Sequence, residues 1–164
     1  MMKKIYIIRH AKAEQKGYDK DFERNLNKKG EQEIKDMLKK LGARAFRADS
    51  FVASAALRAA RTARLLAKGL GVKNVRFDER LYLADENALF EYIKSLDDKH
   101  ESVCIVGHNP AMRELCELLS QIYLSSFPTC SVFGLEFDCA SFADIKAHSG
   151  KLLFFEHIKK LKEK

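Results

Sequence analysis

A chain of 164 residues with 46% apolar and 32% charged side chains can bury about two-thirds of the surface its unfolded form exposes, which fits one globular domain spanning 1–164 and excludes a disordered protein. No stretch approaches the roughly 20 consecutive apolar residues that cross a bilayer, so a membrane protein is excluded as well. The formal net charge of +7 favours anionic partners, yet the basic residues are scattered and no base-stacking motif accompanies them, which argues against nucleic acid.

The chain opens on Met1-Met2-Lys3-Lys4 followed by Ile5-Tyr6-Ile7-Ile8, basic then apolar in the manner of a signal peptide. Arg9 and His10 end the apolar run after four residues, too soon for a signal sequence, and the run instead has the length and β-branching of a strand buried on both faces. Ile34, Met37, Leu38 and Leu41 then recur at helical spacing. Phe51-Val52-Ala53 reads as a second, short strand, followed by a helix whose outer face carries Arg61, Arg64 and Lys68. Asn74-Val75-Arg76-Phe77 reads as a third strand, and Leu89, Ile93 and Leu96 as the stripe of the next helix. Val103-Cys104-Ile105-Val106 is the second fully apolar strand, and Leu115, Leu118, Leu119 and Ile122 repeat the helical pattern. Val132–Phe137, with Phe133, Leu135 and Phe137 on one face, and Lys151–Glu156 complete the order as a C-terminal hairpin, one strand of which runs antiparallel to the rest.

Alternating strands and helices predict a three-layer α/β/α sandwich around a mostly parallel sheet. Cys104, Cys116, Cys130 and Cys139 form neither a Cys-x-x-Cys pair nor a disulfide framework, and they read as reduced core residues of a cytoplasmic protein. The basic run from His157 to Lys164 reads as a solvated terminus.

Ligands of open parallel sheets bind beyond the carboxyl ends of the strands. Three polar clusters fall there: Arg9-His10 after the first strand, Ser54 to Arg58 after the second, and Gly107-His108-Asn109-Pro110 after the strand ending at Val106. Asn109-Pro110 reads as a helix start, with Asn as the cap and Pro at the first helical position, whose free amides suit a phosphate oxygen and place Asn109 among the substrate-binding residues. Ser54 reads as the cap of the helix carrying Arg58. Two histidines and two arginines converging on one crevice suit a doubly charged tetrahedral anion, because a guanidinium fork matches phosphate and a neutral imidazole attacks phosphorus. Neighbouring cations keep His10 neutral near pH 7.

These residues resemble the motifs of the histidine phosphatase superfamily, which has the phosphoglycerate mutase-like fold. Arg9-His10-Ala11 resembles its Arg-His-Gly, Ser54, Arg58, Ala59 and Thr62 resemble its Ser-x-x-x-Arg-Ala-x-x-Thr, and Gly107-His108 resembles its later Gly-His. Arg24 to Gly30 is similar to the Arg-Pro-Leu-Thr-x-x-Gly helix entry of the compact SixA-type phosphohistidine phosphatases, which lack lid insertions. The resemblance implies His10 as the phosphorylated nucleophile, Arg9, Arg58 and His108 as the ligands of the phosphoryl oxygens, and no metal or other cofactor. Ala11 in place of Gly implies a backbone with no need of positive φ.

Leu83 stands where larger members carry the glutamate that donates a proton, and Asp85 and Glu86 are the nearby candidates for that acid, or else they simply open the next helix. A phosphohistidine leaving group needs a strong acid less than an alkyl phosphate does. The expected activity is therefore a phosphatase acting on protein phosphohistidine. The alternatives are a phosphomonoesterase for a small phosphorylated substrate and a non-catalytic module that binds phosphoproteins. Thr62 reads as a packing residue of its helix, and His100, His148 and His157 as surface or hairpin residues.

Overall fold

The computed structural model describes residues 2–158, and the expectation for the basic C-terminal run falls largely outside them. Among the described residues, six strands form one sheet: β1 (Lys3–Arg9), β2 (Ser50–Ser54), β3 (Val75–Asp78), β4 (Ser102–Gly107), β5 (Val132–Phe137) and β6 (Lys151–Glu156), in the order β3-β2-β4-β1-β5-β6. The helices α1 (Lys28–Ala43), α2 (Leu57–Leu70), α3 (Glu86–Lys94) and α4 (Ala111–Leu119) alternate with the first four strands as the periodicity predicts. β1 to β4 are mutually parallel, β5 runs antiparallel to β1, and β6 antiparallel to β5, so the chain closes on the expected hairpin.

Because neighbouring side chains on a strand point to opposite faces, β1 feeds both layers. Ile5 and Ile7 pack with Leu89, Ile93, Leu115 and Leu119 of α3 and α4. Tyr6 and Ile8 pack with Ile34, Met37 and Leu41 of α1 and with Ala59, Ala63 and Leu66 of α2. Phe133, Leu135 and Phe137 join the first of these cores. Burial of the central strands on both faces explains their unbroken apolar runs. Cys104, Cys116 and Cys130 are buried free thiols, whereas Cys139 is only half-buried, because it follows β5 in the turn towards β6. No helix of the described residues is long and apolar enough to cross a membrane.

The register places the polar clusters side by side. Arg9 lies opposite Gly107, and Ala53 opposite Val106, so His10, Ser54 and His108 emerge at one end of three adjacent parallel strands.

Candidate active site

His10 follows β1 directly, and its backbone N–H continues the ladder by donating to the Gly107 carbonyl at 3.0 Å. The backbone carbonyl of Ala11 lies 2.7 Å from its Nδ1. A carbonyl can only accept, so the ring proton sits on Nδ1 and the lone pair on Nε2. Ala11 is wholly buried without positive φ, which is how alanine serves where the family motif has glycine. Thr62 fixes this turn: its Oγ1 accepts the Ala11 N–H at 3.0 Å and donates to the Arg58 carbonyl at 2.7 Å. Thr62 thus does more than pack, since it ties the nucleophile's loop to the helix that carries Arg58. Cys130, itself at φ 62°, donates its N–H towards the carbonyls of Arg9 and His10 from the opposite side.

The rings of His10 and His108 lie 5.2 Å apart, centroid to centroid. His10 is buried and His108 half-buried, both among cations. Burial above all, with His108, Arg58 and Arg9 adding to it against the Ala11 carbonyl, holds the His10 imidazole down to about 3. Burial and Arg58 hold His108 down to about 4, with Asp21 opposing. Arg9 donates from Nη1 to the Phe127 carbonyl at 3.1 Å, and Arg58 donates to Asp21. Among the described residues four buried side-chain nitrogens have no hydrogen-bond partner, and three of them, Arg9 Nε, Arg58 Nε and His108 Nδ1, belong to this site, the fourth being His157 Nδ1. Buried polar groups are nearly always paired, so three orphans on neighbouring residues mark donors kept for something that binds there. A cleft of about 450 Å³ adjoins Arg9 and His10 and is walled by Lys12, Arg24, Glu33 and Thr129.

Two helix entries differ from expectation. Ala56, not Ser54, occupies the cap position of α2; the Ser54 hydroxyl accepts the Ala56 N–H at 3.2 Å and lies 2.8 Å from His108 Nε2. Pro110 takes the cap position of α4 rather than its first turn. Asn109 still accepts the Arg113 amide through Oδ1 at 3.3 Å, while its Nδ2 donates to the Phe127 carbonyl that also receives Arg9. Asp85 caps α3, accepting the Ala88 N–H at 2.8 Å, and Glu86 opens that helix near Glu114, whose carboxyl it pushes up. Leu83 is 86% exposed and brings no acid to the site.

Sequence reasoning passed over Asp21 and Tyr82. Asp21 lies on a one-turn 3-10 helix, Asp21–Glu23, between β1 and α1, and pairs with Arg58; Tyr82 follows a similar turn after β3 and bonds the same carboxylate. No local spacing in the sequence ties either residue to Arg58, because both contacts are long-range. That entry is rigid: Asn27 accepts the Gly30 amide at 2.8 Å, and Gly30 packs so tightly on the His10 loop that a Cβ would sit 2.1 Å from the Lys12 carbonyl oxygen. His100 and His157 are half-buried, and His148 lies exposed between β5 and β6.

Comparison with known proteins bears on the family and the fold. The family model described as the histidine phosphatase superfamily, branch 1, matches residues 5–82, and no curated protein matches the chain in sequence. The chain is similar in fold to the SixA protein of Agrobacterium tumefaciens, at 24% identity and a TM-score of 0.81 over 95% of this chain and 98% of that one. It is similar to the protein histidine phosphatase SixA in complex with tungstate, at 20% identity and a TM-score of 0.80 over 94% and 96% of the two chains. The SixA protein of Nakamurella multipartitia aligns at 19% identity and a TM-score of 0.77 over 96% of each chain. The chain thus carries the pattern of the histidine phosphatase superfamily, branch 1, over the residues that include Arg9, His10 and Arg58, and shares the fold of the SixA proteins over nearly its whole length.

Proposed function

We propose that the protein is a phosphatase that passes a phosphoryl group from its substrate to His10 and then to water, and that the substrate is phosphohistidine in a protein. The observation that carries the reading is the set of unpartnered buried nitrogens on Arg9, Arg58 and His108 beside a neutral imidazole. Tungstate, a tetrahedral oxyanion, is the ligand bound by the structurally similar SixA.

In the first step His10 Nε2 attacks phosphorus in line and forms a P–N bond while the substrate's own P–N bond breaks. A phosphohistidine protonated at its distal ring nitrogen leaves as neutral imidazole, taking the bonding pair. The Ala11 carbonyl, accepting from Nδ1–H, stabilises the positive charge that develops on the His10 ring. In the second step water attacks phosphorus, the His10–phosphorus bond breaks with its pair returning to Nε2, and the proton of water passes to phosphate. Arg9, Arg58 and His108 stabilise the equatorial oxygens in both steps, the preorganised electrostatic contribution that is commonly the largest in such reactions.

The leaving-group argument selects the substrate. Leu83 replaces the proton donor of larger relatives and points to solvent, and Asp85 is engaged as a helix cap. An alkoxide then departs without help, whereas an imidazole needs none. Turnover of a phosphohistidine peptide, a sugar phosphate and an aryl phosphate by wild type and His10→Ala tests the reading. Phosphohistidine is expected to give the highest kcat/KM and His10→Ala no turnover. Preference for the sugar phosphate would establish a small-molecule phosphomonoesterase instead, and wild-type turnover by His10→Ala would end the proposal.

A further inference from the structure

Arg58 is a buried cation whose side chain is 6% exposed, and among the described residues Asp21 is its one ion-pair partner. The contact uses one end of the guanidinium: Nη1 donates to the Asp21 backbone carbonyl at 2.8 Å, and Nη2 to its Oδ2 at 3.0 Å. A guanidinium presents two forks, one between its terminal nitrogens and one along the side that includes Nε. Asp21 fills the first and leaves the second, with its buried and partnerless Nε, uncommitted.

The carboxylate is itself held. Its Oδ1 accepts Arg24 Nε at 3.2 Å, and its Oδ2 accepts the Tyr82 hydroxyl. The Tyr82 ring in turn stands edge-on to His108, with centroids 5.6 Å apart. One phenol therefore braces, through its oxygen and its ring, two anion-binding groups from different elements, Arg58 on α2 and His108 after β4.

We infer that Asp21 and Tyr82 are a positioning pair for oxyanion recognition: Asp21 locks Arg58 by its terminal fork so that the Nε side faces the phosphoryl group, and Tyr82 couples that lock to His108. The role rests on the phosphoryl-binding function proposed above but not on turnover or on the leaving group. Asp21 also contributes stability, because its removal leaves the buried Arg58 charge without its ion-pair partner, so anion affinity and not stability is the readout that reports positioning. Tyr82 keeps only part of its surface from solvent and lies in a turn.

The opposing possibility is that Asp21 is merely a negative charge near the site, whose removal would strengthen anion binding. The sign of the effect separates the two. Tungstate affinity, measured by calorimetry on the intact chain, is read for wild type, Asp21→Ala, Asp21→Asn, Tyr82→Phe and the Asp21→Ala/Tyr82→Phe double variant. Loss of a group that orients a ligand typically costs about tenfold to a hundredfold, and this range is expected for Asp21→Ala. Asp21→Asn retains an acceptor oxygen and is expected to recover part of that loss. Tyr82→Phe weakens binding by about threefold to tenfold in wild type and leaves Asp21→Ala unchanged, because residues acting as a unit are non-additive.

Binding by Asp21→Ala as tight as wild type or tighter overturns the inference, as does a Tyr82→Phe effect that persists in full without Asp21. If Asp21→Ala does not fold, Tyr82→Phe alone decides, unchanged affinity being the refuting result. Tungstate binding that follows this pattern in a protein inactive towards every phosphorylated substrate would refute the proposed hydrolysis and leave the positioning pair standing. Absence of tungstate binding by wild type would overturn the oxyanion cradle and the pair together.

Discussion

The Ser54 hydroxyl oxygen lies 2.8 Å from Nε2 of His108 while accepting the Ala56 amide. The hydroxyl proton has no other acceptor among the described residues and goes to Nε2, which sets the imidazole's own proton on Nδ1, the buried nitrogen left without a partner among those residues. Ser54 thereby makes His108 a donor to an oxyanion. Ser54→Ala is expected to lower kcat/KM by about tenfold or more, in the range seen when a histidine's supporting hydrogen bond is lost. Nitrogen-15 NMR of His108 should show mixed tautomers in the variant and the Nδ1–H form alone in wild type.

Titration of the two histidines gives the second prediction. With His10 held down to about 3 and His108 to about 4, neither ring should protonate between pH 7 and 5 in the ligand-free protein, and a bound oxyanion should raise both. The sign for stability follows. The unfolded chain's histidines take up protons near pH 6.5, those of the folded chain only lower, so stability is greatest above about 6.5 and falls as the pH drops towards 4 and 3. NMR titration checks the rings, and urea unfolding at several pH values checks the slope, which His10→Ala should reduce. Titration of either ring near 6.5 in the free protein would contradict both statements.

Thr62→Val preserves volume but leaves the Ala11 amide buried without an acceptor. The expected cost is about 1–3 kcal/mol in denaturant unfolding, together with lower kcat because the carbonyl that orients His10 belongs to the same residue. Loss of stability with full activity would show that the Thr62 link does not position the nucleophile.

Gly30→Ala is expected to cost roughly 1–3 kcal/mol or more, since the new methyl meets the Lys12 carbonyl rather than a side chain that can turn away. Thermal unfolding measures it, and Gly42→Ala, where a Cβ would meet nothing, serves as the comparison.

The fold was legible because each buried strand advertises itself. Ile5-Tyr6-Ile7-Ile8 and Val103-Cys104-Ile105-Val106 are apolar on both faces, which only a covered parallel sheet requires, and parallel pairing then brings Arg9, Ser54 and Gly107 level. Arg9, His10 and His108 could be proposed because they sit at or directly after the ends of buried strands, and Arg58 because it lies in the first turn of the helix after β2. Asp21 and Tyr82 could not be, since each sits in a turn whose approach to Arg58 depends on tertiary packing rather than on periodicity. Ser54 was identified with the wrong partner for a related reason: a serine before a helix offers its hydroxyl to the nearest amide by default, and only the register of β2 on β4 reveals the histidine beside it.

Trapping the phosphorylated protein is the most direct measurement. After brief reaction with a labelled phosphohistidine peptide and an alkaline quench, the label is expected on His10, stable to alkali, labile to acid and absent from His10→Ala. Label on another residue, or hydrolysis at the wild-type rate with His10 replaced, would contradict the account.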